Sequence, residues 1–469
     1  MSDWMQSRPR KSKNMIALPV AFTERMRRQL GDEEAERLFA SLDAASPVAI
    51  RLNPAKCGGD GVWCDGEAIA WSKWGRRLKA RPSFTLDTAF HAGAYYVQEA
   101  ASQFLDYIVA GEDLQGKRVL DMCAAPGGKT TIYSSAVGAA GLVVANEYVR
   151  SRANILADNV RKWGMGNVLV TNNAPEHIAQ FEGWFDMVAV DAPCSGEGMF
   201  RKEEVAREDW SDDAVRMCAA RQLSIVREAW QSLKDGGLFI YSTCTFNEDE
   251  DEGVLRAFIE ERGDAFVATE PIAVDESWGI VKGEVGAFQT FRFFPHKCDS
   301  EGLFVAVARK AEPTTQRTPK ARKRVMQEVD KASRKELGRW LQEGDDHSFA
   351  LVADTIYAYR TEQFKAVQSL SESLTAIYSG VAMGQIFKGK LKPDWALSQY
   401  VALERRAVAQ EELDEARALD YLRKRDIAVG EMAEGVNLVT HEGRALGFVK
   451  RIGARCNNLY PNSLKIMNM

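Results

Sequence analysis

The sequence predicts an α/β protein built around a doubly wound, largely parallel sheet, with a small α+β region before it and a β-rich region after it. Two observations support this prediction. Between residues 93 and 310, short apolar runs that suit strands alternate with longer stretches of helical periodicity, which is the pattern of βαβ units. The chain also has 469 residues, more than the roughly 100 to 200 of an average domain, so several domains are expected.

Changes of pattern along the chain divide it into four predicted regions. Apolar residues at helical spacing between Pro19 and Leu42 predict two short helices, and a turn-rich β portion follows up to about residue 80. A basic stretch with two prolines at 311–324 is typical of a linker, and alternating runs on either side of His441–Arg444 predict a hairpin. The predicted limits are 1–92 for an N-terminal α+β domain, 93–310 for the sheet domain, 311–385 for the linker with a first C-terminal domain, and 386–469 for a β-rich domain.

The sheet domain shows six clear strand patterns. An apolar turn-bounded run of this length is typical of a strand buried on both faces. A turn is predicted at Asp235–Gly237, directly before the fifth strand. The strands are predicted at 118–122, 142–146, 168–171, 187–190, 238–242 and 302–307. Ligands of such a sheet bind at the carboxyl ends of its strands, so residues at those ends are the first functional candidates.

The composition predicts a cytoplasmic protein without a membrane span or a metal site. No apolar run approaches the roughly 20 residues that cross a bilayer, and no signal-peptide core is present. Eight scattered cysteines fit reduced thiols, and Cys57 and Cys64 are too far apart for a short zinc motif. A net charge of -5 argues against an all-round basic surface for nucleic acid. Local basic tracks are still possible at Arg8–Lys13, Arg317–Arg324 and Lys450–Arg455.

A glycine turn follows the first strand of the sheet, in the run Asp121–Thr130. The adjacent Gly127 and Gly128 would let the backbone approach a ligand, and the helix that begins there adds donors and partial positive charge. A nucleotide-like ligand is therefore expected. The stretch Gly128–Thr130 mimics the end of a triphosphate-binding loop, but Cys123 stands where that loop requires glycine, which disfavours a triphosphatase.

Glu147 ends the second strand, about 20 residues after the glycine turn. An acidic residue at that place typically accepts hydrogen bonds from ribose hydroxyls. The alternative is a helix-start carboxylate near Arg150 and Arg152. The glycine turn favours ribose binding, and a nicotinamide cofactor or S-adenosylmethionine would both satisfy it.

Two cysteines follow neighbouring strands of the predicted sheet. Cys194 comes three residues after Asp191 at the end of the fourth strand, and Cys244 follows Ser242 at the end of the fifth. The two thiols and the carboxylate should therefore face one crevice. Such a thiolate suits methylation at carbon 5 of a cytosine, because this poor nucleophile gains electron density once sulfur adds to carbon 6. Asp191, with help from Lys129, would stabilise the charge that builds on the pyrimidine, which must first leave its helix or loop.

These motifs resemble those of the Sun/RsmF (YebU-like) family of ribosomal RNA cytosine-5 methyltransferases. The resemblance is strong over roughly residues 15–310. The C-terminal end also looks like the PUA-like RNA-binding tail of the RsmF branch. The shared motifs are Arg51–Asn53, Tyr96–Glu99, the glycine turn, Asp191–Cys194, Ser242–Cys244, Pro295–His296, Glu301–Phe304, Leu446–Lys450 and Asn457–Pro461.

The resemblance implies a class I methyltransferase sheet with S-adenosylmethionine as cofactor, and small-subunit (16S) ribosomal RNA as the partner. It gives Cys244 the role of nucleophile and Cys194 a role in product release. It also places Asn173 where the family often has an aspartate that meets the adenine amino group, and an asparagine oxygen can accept the same hydrogen bond. The implied cofactor contacts are Cys123, Ala124, Ala125, Pro126, Gly127, Gly128, Lys129, Glu147, Asn173 and Asp191.

Two other functions are alternatives to this one. A non-enzymatic RNA-binding assembly factor would have no need for both thiols, and a small-molecule methyltransferase would have no need for the flanking regions. His177, Trp210 and His296 lie near the motifs, and packing or turn roles are expected for them. A monomer is expected.

Overall fold

The computed structural model describes residues 16–57 and 66–467. The basic track at Arg8–Lys13 and the side chain of Cys64 lie outside these ranges. Within the described ranges, no helix is both long enough and apolar enough to span a membrane.

The N-terminal region has two helices and a small sheet, as the sequence predicts. Phe22, Met26 and Leu38 face inwards and pack against Phe200 and Trp210 of the sheet domain, which fixes the helix pair beside the crevice described below. The four strands are antiparallel in the order β2-β3-β1-β4. The elements are α1 (Val20–Leu30), α2 (Asp32–Leu42), β1 (Val48–Leu52), β2 (Glu67–Ile69), β3 (Ser72–Leu78), α3 (Thr88–His91) and β4 (Tyr95–Val97).

The central sheet is of the Rossmann-like methyltransferase type that the sequence predicts. Its strands are β5 (Arg118–Asp121), β6 (Leu142–Asn146), β7 (Val168–Thr171), β8 (Phe185–Asp191), β9 (Leu233–Thr243), β10 (Phe266–Val267), β11 (Val281–Val285), β12 (Phe288–Phe293) and β13 (Leu303–Lys310). The helices among them are α4 (Phe104–Ala110), α5 (Gly128–Val137), α6 (Arg150–Trp163), α7 (Pro175–Ala179), α8 (Glu204–Asp209), α9 (Asp212–Ser232) and α10 (Glu252–Arg262).

The strand order is β11-β12-β13-β9-β8-β5-β6-β7, and strands β5 to β9 are parallel to one another. The order reverses beside β5, which is the point where a ligand crevice forms outside the carboxyl ends of the strands. The glycine turn, Asp191 and both candidate cysteines leave the sheet at this edge. The fold therefore gathers residues that are up to 123 positions apart between Asp121 and Cys244.

The fifth predicted strand begins earlier than expected. The turn predicted at Asp235–Gly237 lies inside β9, where the pairing with β8 shifts register between Phe185 and Met187. Gly236 has a φ of 71°, a left-handed conformation that a glycine adopts without a steric penalty. The predicted turn is therefore a bulge within a longer strand.

The C-terminal half forms two further sheets. The first has the order β14-β15-β16-β18-β19, and the second has the order β20-β21-β22-β23. The elements are β14 (Gln327–Glu328), α11 (Lys331–Gly338), β15 (His347–Val352), β16 (Thr355–Arg360), α12 (Thr361–Ser373), β17 (Ala376–Ser379), β18 (Val381–Phe387), β19 (Lys390–Pro393), α13 (Trp395–Gln399), β20 (Ala409–Glu412), α14 (Glu415–Leu422), β21 (Gly435–His441), β22 (Arg444–Ile452) and β23 (Arg455–Asn458).

The hairpin predicted around His441–Arg444 is present in the last sheet. His441 pairs with Arg444, and the two-residue turn between them places Glu442 and Gly443 at positive φ. This is the backbone that the twist of a tight hairpin favours.

Two features of the C-terminal half differ from the predicted domain limits. The limit between residues 385 and 386 falls inside β18, which pairs with β16 and β19 in one sheet. In addition, β17 pairs antiparallel with β7 and becomes the outermost strand of the central sheet. The sheet therefore takes one strand from beyond residue 310, and the four-region division remains a prediction.

Asn53 joins the N-terminal region to the sheet domain. Its side chain is fully buried, and its amide donates to the backbone carbonyls of Gly93 (3.0 Å) and Trp163 (2.9 Å). Its side-chain oxygen accepts from the backbone N–H of Ala55 at 3.1 Å. All of its hydrogen-bonding capacity except one lone pair is used, across two parts of the chain.

We predict that Asn53→Ala lowers the free energy of unfolding by about 1 to 3 kcal/mol, because buried backbone groups lose their partners. Thermal unfolding measures the effect as a fall in Tm. The matched control is Asn154→Ala on the exposed face of α6, for which no loss is expected. Equal Tm values for the two variants would show that Asn53 does not hold the junction.

Candidate active site

Two thiols meet at the carboxyl edge of the central sheet. The Sγ atoms of Cys194 and Cys244 are 3.0 Å apart, and both cysteines are unbridged. The hydrogen bond to Cys244, together with burial, raises the pKa of the Cys194 thiol well above its usual value. The protonated form of Cys194 is therefore favoured at this position.

The loops that carry these thiols are held together by Glu197. This carboxylate is fully buried, and its Oε2 accepts the backbone N–H groups of Phe246 (2.7 Å) and Asn247 (3.0 Å), just after Cys244. Its Oε1 accepts from the side chains of Trp210 and Asn247. Burial raises the pKa of Glu197 to about 7, while these donors act in the opposite direction.

A second buried carboxylate, Glu250, completes the network. It accepts from the backbone N–H of Ser195 at 2.9 Å, from Gln222 at 2.8 Å and from Asn247 at 2.9 Å. The amide of Asn247 thus donates to both carboxylates. The backbone also approaches closely here, since the N–H of Gly198 donates to the carbonyl of Cys244 at 2.8 Å. A Cβ at residue 198 would lie 2.7 Å from that oxygen, so glycine is required.

Lys129 and Asp191 form an ion pair beside the thiols. Lys129 Nζ lies 2.7 Å from Asp191 Oδ2, and Ser242 donates to Asp191 Oδ1 at 2.8 Å. Burial opposes the charge on Lys129, but the neighbouring carboxylate of Asp191 prevails and raises the pKa of the lysine. The pair places a proton donor and a countercharge next to Cys244.

Side chains of α6 support the glycine turn through hydrogen bonds. Gly127 has a φ of 116°, and α5 begins at Gly128, so the first backbone N–H groups of that helix point into the crevice. Arg152 donates to the carbonyl of Ala125 at 2.9 Å, and Asn159 donates to that of Pro126 at 2.9 Å. These contacts from α6 hold the turn in an open shape.

A cavity of about 170 Å³ lies between this turn and the end of β4. It contains buried polar atoms that lack a partner within the described residues: Nε2 and Oε1 of Gln98 and Oδ1 of Asp121. Buried polar groups normally have a hydrogen-bond partner, so these atoms fit a polar ligand in the cavity. Its lining comprises Tyr96, Val97, Gln98, Glu99, Ser102, Asp121, Cys123, Ala124, Ala125, Pro126, Gly128, Lys129 and Asp191.

Seven of the ten predicted cofactor contacts thus line this cavity, and Gly127, Glu147 and Asn173 do not. Glu147 Oε1 accepts from the backbone N–H of Val149 at 2.8 Å, and Oε2 lies 3.5 Å from Arg152. That is the helix-start arrangement which the sequence offered as the alternative. Ribose binding by Glu147 stays a prediction.

Asn173 has partners that the sequence did not suggest. Its Oδ1 accepts from the backbone N–H of Thr375 at 3.0 Å, and its Nδ2 donates to the carbonyl of Thr375 at 3.2 Å. The adenine contact stays a prediction, and it would use the remaining lone pair of Oδ1.

The nearby residues to which no chemistry was assigned have other contacts or positions. Trp210 donates to Glu197, His296 bonds Glu34 at 2.8 Å, and His177 is exposed on α7. The sequence missed Gln98, Glu197 and Glu250. Only Gln98 had a signal, since it lies within the Tyr96–Glu99 motif.

Three family models match the chain over consecutive stretches. The N-terminal domain of 16S rRNA methyltransferase RsmF matches residues 18–100, and 16S rRNA methyltransferase RsmB/F matches residues 110–309. The PUA domain of methyltransferase RsmF matches residues 410–466. The central match contains both thiols, the ion pair and the glycine turn. The fold and these matches define a methyltransferase that uses S-adenosylmethionine.

Individual relatives identify the family more closely. The chain is 31% identical over 477 residues to ribosomal RNA small subunit methyltransferase F of Erwinia tasmaniensis, covering 96% of this chain and 97% of that protein. It therefore belongs to the ribosomal RNA small subunit methyltransferase F family. A methyltransferase homologue from Pyrococcus horikoshii has a similar structure, with a TM-score of 0.51 and 25% identity over 62% of this chain and 94% of that one.

The fold also matches that of NSun6 from Pyrococcus horikoshii, a structure with SFG, at a TM-score of 0.54. The identity is 19%, and the match covers 63% of this chain and 99% of that one. At this identity the likeness supports the fold alone.

The buried carboxyl of Asp121 predicts a pH-dependent stability. Burial, with the charges of Asp191 and Glu147, raises its pKa to about 7 from 3.8. The stabilisation from this group is complete below about pH 4 and is lost as the pH rises through 7. A rise from about pH 5 to pH 7 should therefore lower the free energy of unfolding by about 2 kcal/mol. We therefore expect Asp121→Asn, which can still accept from Thr130, to show a smaller fall than the wild type.

The measurement is chemical unfolding at both pH values. The control is Asp264→Asn at an exposed position, which should keep the wild-type fall. If Asp121→Asn keeps it as well, Asp121 does not titrate in this range.

Proposed function

We propose that this protein methylates carbon 5 of a cytosine in 16S ribosomal RNA, through a transient bond between Cys244 and carbon 6. The observation that carries the proposal is the 3.0 Å contact between the two thiols, beside the Lys129–Asp191 pair and the glycine turn. The 16S substrate is supported by the Erwinia relative, whose name specifies the small ribosomal subunit.

The first step is the attack of Cys244. Its thiolate forms a C–S bond with carbon 6, and the electron pair of the 5,6 double bond moves into the ring, which makes carbon 5 nucleophilic. The ammonium of Lys129 supplies the countercharge to the negative charge that the attack places on the ring, Asp191 holds that ammonium in the ion pair, and Ser242 orients the carboxylate. Because these groups are fixed before the base arrives, they need little reorganisation during the attack.

Cys194 acts in the second step. While Cys244 is a thiolate, the hydrogen bond between the two sulfurs keeps Cys194 protonated. Once Cys244 is bonded to carbon 6, its charge is gone and this cause of the raised pKa disappears. Cys194 can then lose its proton to solvent, and the resulting thiolate takes the proton of methylated carbon 5. The double bond re-forms, the C–S bond breaks, and Cys244 leaves as a thiolate.

S-adenosylmethionine supplies the electrophilic methyl group. The cavity at the glycine turn is the proposed place of binding, because its unpartnered polar atoms on Gln98 and Asp121 fit a polar ligand. The backbone donors at the start of α5 and the side chains of Glu147 and Asn173 are proposed as further contacts. The whole predicted set from Cys123 to Lys129 would surround the ligand on one side.

The flanking regions are proposed to hold RNA. The N-terminal region, proposed as 1–92, contacts the crevice through α1 and α2, and the last sheet falls within the PUA match. In this sheet, Lys450 on β22 and Arg455 on the edge strand β23 are exposed and suit contacts to phosphates. Residues 93–310 are proposed as the catalytic domain of a monomeric, cytoplasmic enzyme.

We predict that Cys244→Ala abolishes methyl transfer, because no other group forms the bond to carbon 6. Cys194→Ala should instead accumulate a protein–RNA adduct, because proton removal from carbon 5 fails and the C–S bond persists. Transfer is followed with radiolabelled cofactor and small ribosomal subunits, and the adduct by denaturing electrophoresis. Cys218→Ala on α9 is the matched control and should behave as the wild type.

Two results would contradict the proposal. Normal methyl transfer by the Cys244→Ala variant would show that Cys244 is not the nucleophile. Equal levels of adduct in the Cys194→Ala and Cys218→Ala variants would show that Cys194 has no role in product release. Mapping the labelled base tests the position on the pyrimidine.

A further inference from the structure

A large groove lies in the first C-terminal sheet, between α11, β14 and β15, with a volume of about 1110 Å³. Its lining spans residues 324–368, a stretch that falls between the family matches ending at 309 and resuming at 410.

The groove is strongly cationic. Two acidic residues, Glu328 and Asp345, also line it, so positive charge is in excess although the whole chain has a net charge of -5. The cationic lining residues are Arg324, Lys331, Arg334, Lys335 and Arg339. An excess of this kind on one surface is the electrostatic footprint of a polyanion site.

These cations are largely available to a ligand. Within the part of the chain that the structure describes, no ion pair joins Arg324, Lys331, Arg334 or Lys335 to an acidic side chain, and Arg339 lies 3.7 Å from Glu336. Their side chains are exposed. Neutralising them therefore requires a partner from outside the chain.

The floor of the groove is partly aromatic. Phe349 and Phe364 line it and are half-buried, so each has a face in the core and some surface open to the groove. Cations along the rim with aromatic rings at the base are the combination that holds single-stranded nucleic acid, since the bases stack while the phosphates are neutralised. An acidic protein segment could pair with the cations, but it has no bases to stack on the two aromatic rings.

The position of α12 shows how the groove relates to the crevice. Gln363, near the start of this helix, donates to the backbone carbonyl of Gly141 at the amino edge of the central sheet. Thr375, just after its end, bonds Asn173 at the carboxyl edge. Of the two residues of this helix that line the groove, Phe364 lies in the first turn and Gln368 lies just past the middle. The groove therefore meets α12 away from the end of the helix that contacts the carboxyl edge, where the thiols lie.

We propose that this groove binds the phosphate backbone of a single-stranded segment of the substrate RNA, remote from the cytosine that enters the crevice. The RNA identity rests on the proposed function above. The groove adds affinity without touching the reacting atoms, so its loss changes substrate binding and leaves the chemical step unchanged.

The test compares two triple variants of the full chain. The groove variant is Arg324→Gln, Lys331→Gln and Lys335→Gln, which spares Arg334 because its Nε donates to the carbonyl of Val329. The control removes the same charge at three exposed positions outside the proposed RNA-binding regions, by Arg216→Gln, Arg256→Gln and Lys282→Gln. Equal Tm values for both variants and the wild type establish that each is folded.

Binding of a fluorescent oligouridine and of 16S rRNA is measured at several salt concentrations. The groove variant should bind on the order of tenfold more weakly, and its slope of log affinity against log salt should be shallower by about 2, since three phosphate contacts are lost. With 16S rRNA as substrate, KM should rise and kcat should stay as in the control. Wild-type affinity and slope in the groove variant would overturn the proposal.

Two further outcomes separate the alternatives. If polyglutamate displaces the oligouridine as well as unlabelled RNA of equal charge does, the groove is an acidic-protein site and the RNA assignment is wrong. If the wild type transfers no methyl group to 16S rRNA and the groove variant still binds RNA more weakly, the proposed function fails while the groove assignment holds.

Discussion

The chemistry of this site depends on the two buried carboxylates that hold the cysteine loops together. Glu197 and Glu250 share the amide of Asn247, and between them they accept backbone N–H groups from both loops. Hydrogen bonds of this kind are strong in a buried site, and each is costly to leave unmade. This network holds the two loops against each other, with the two sulfurs 3.0 Å apart.

The same burial that requires this network also sets the protonation of the site. Burial raises the pKa of Asp121 and Glu197, and the hydrogen bond to Cys244 together with burial raises that of Cys194. Burial opposes the charge on Lys129, but the neighbouring Asp191 raises its pKa. The crevice therefore holds a charged lysine among groups whose ionisation is disfavoured. A charge that forms on an incoming ring then meets a fixed countercharge and little competing water.

Much of the catalytic sheet could be predicted from the sequence because its strands are buried on both faces. The ranges 142–146 and 168–171 agree with the structure at both ends, since each is an apolar run closed by a turn. Prediction failed where structure depends on distant partners. The bulge at Gly236 depends on the register of the pairing with β8, and β17 pairs with a strand some 200 residues earlier. The carboxylate network escaped notice for the same reason, since a buried Glu has no periodic signal.

The edge strand β17 gives the C-terminal half a direct part in the cofactor side of the sheet. Thr375, just before it, bonds the Asn173 side chain through both backbone groups, and Asn173 follows the strand next to the predicted ribose residue Glu147. A displacement of the C-terminal sheets would thus strain the carboxyl edge of β7 and, through the bonds of Asn172 to the backbone of Glu147 and Tyr148, that of β6. The proposed RNA-binding groove and the PUA match lie in this half, and the hydrogen bonds from Thr375 through Asn173 and Asn172 to Glu147 join this half directly to the carboxyl edge of the sheet.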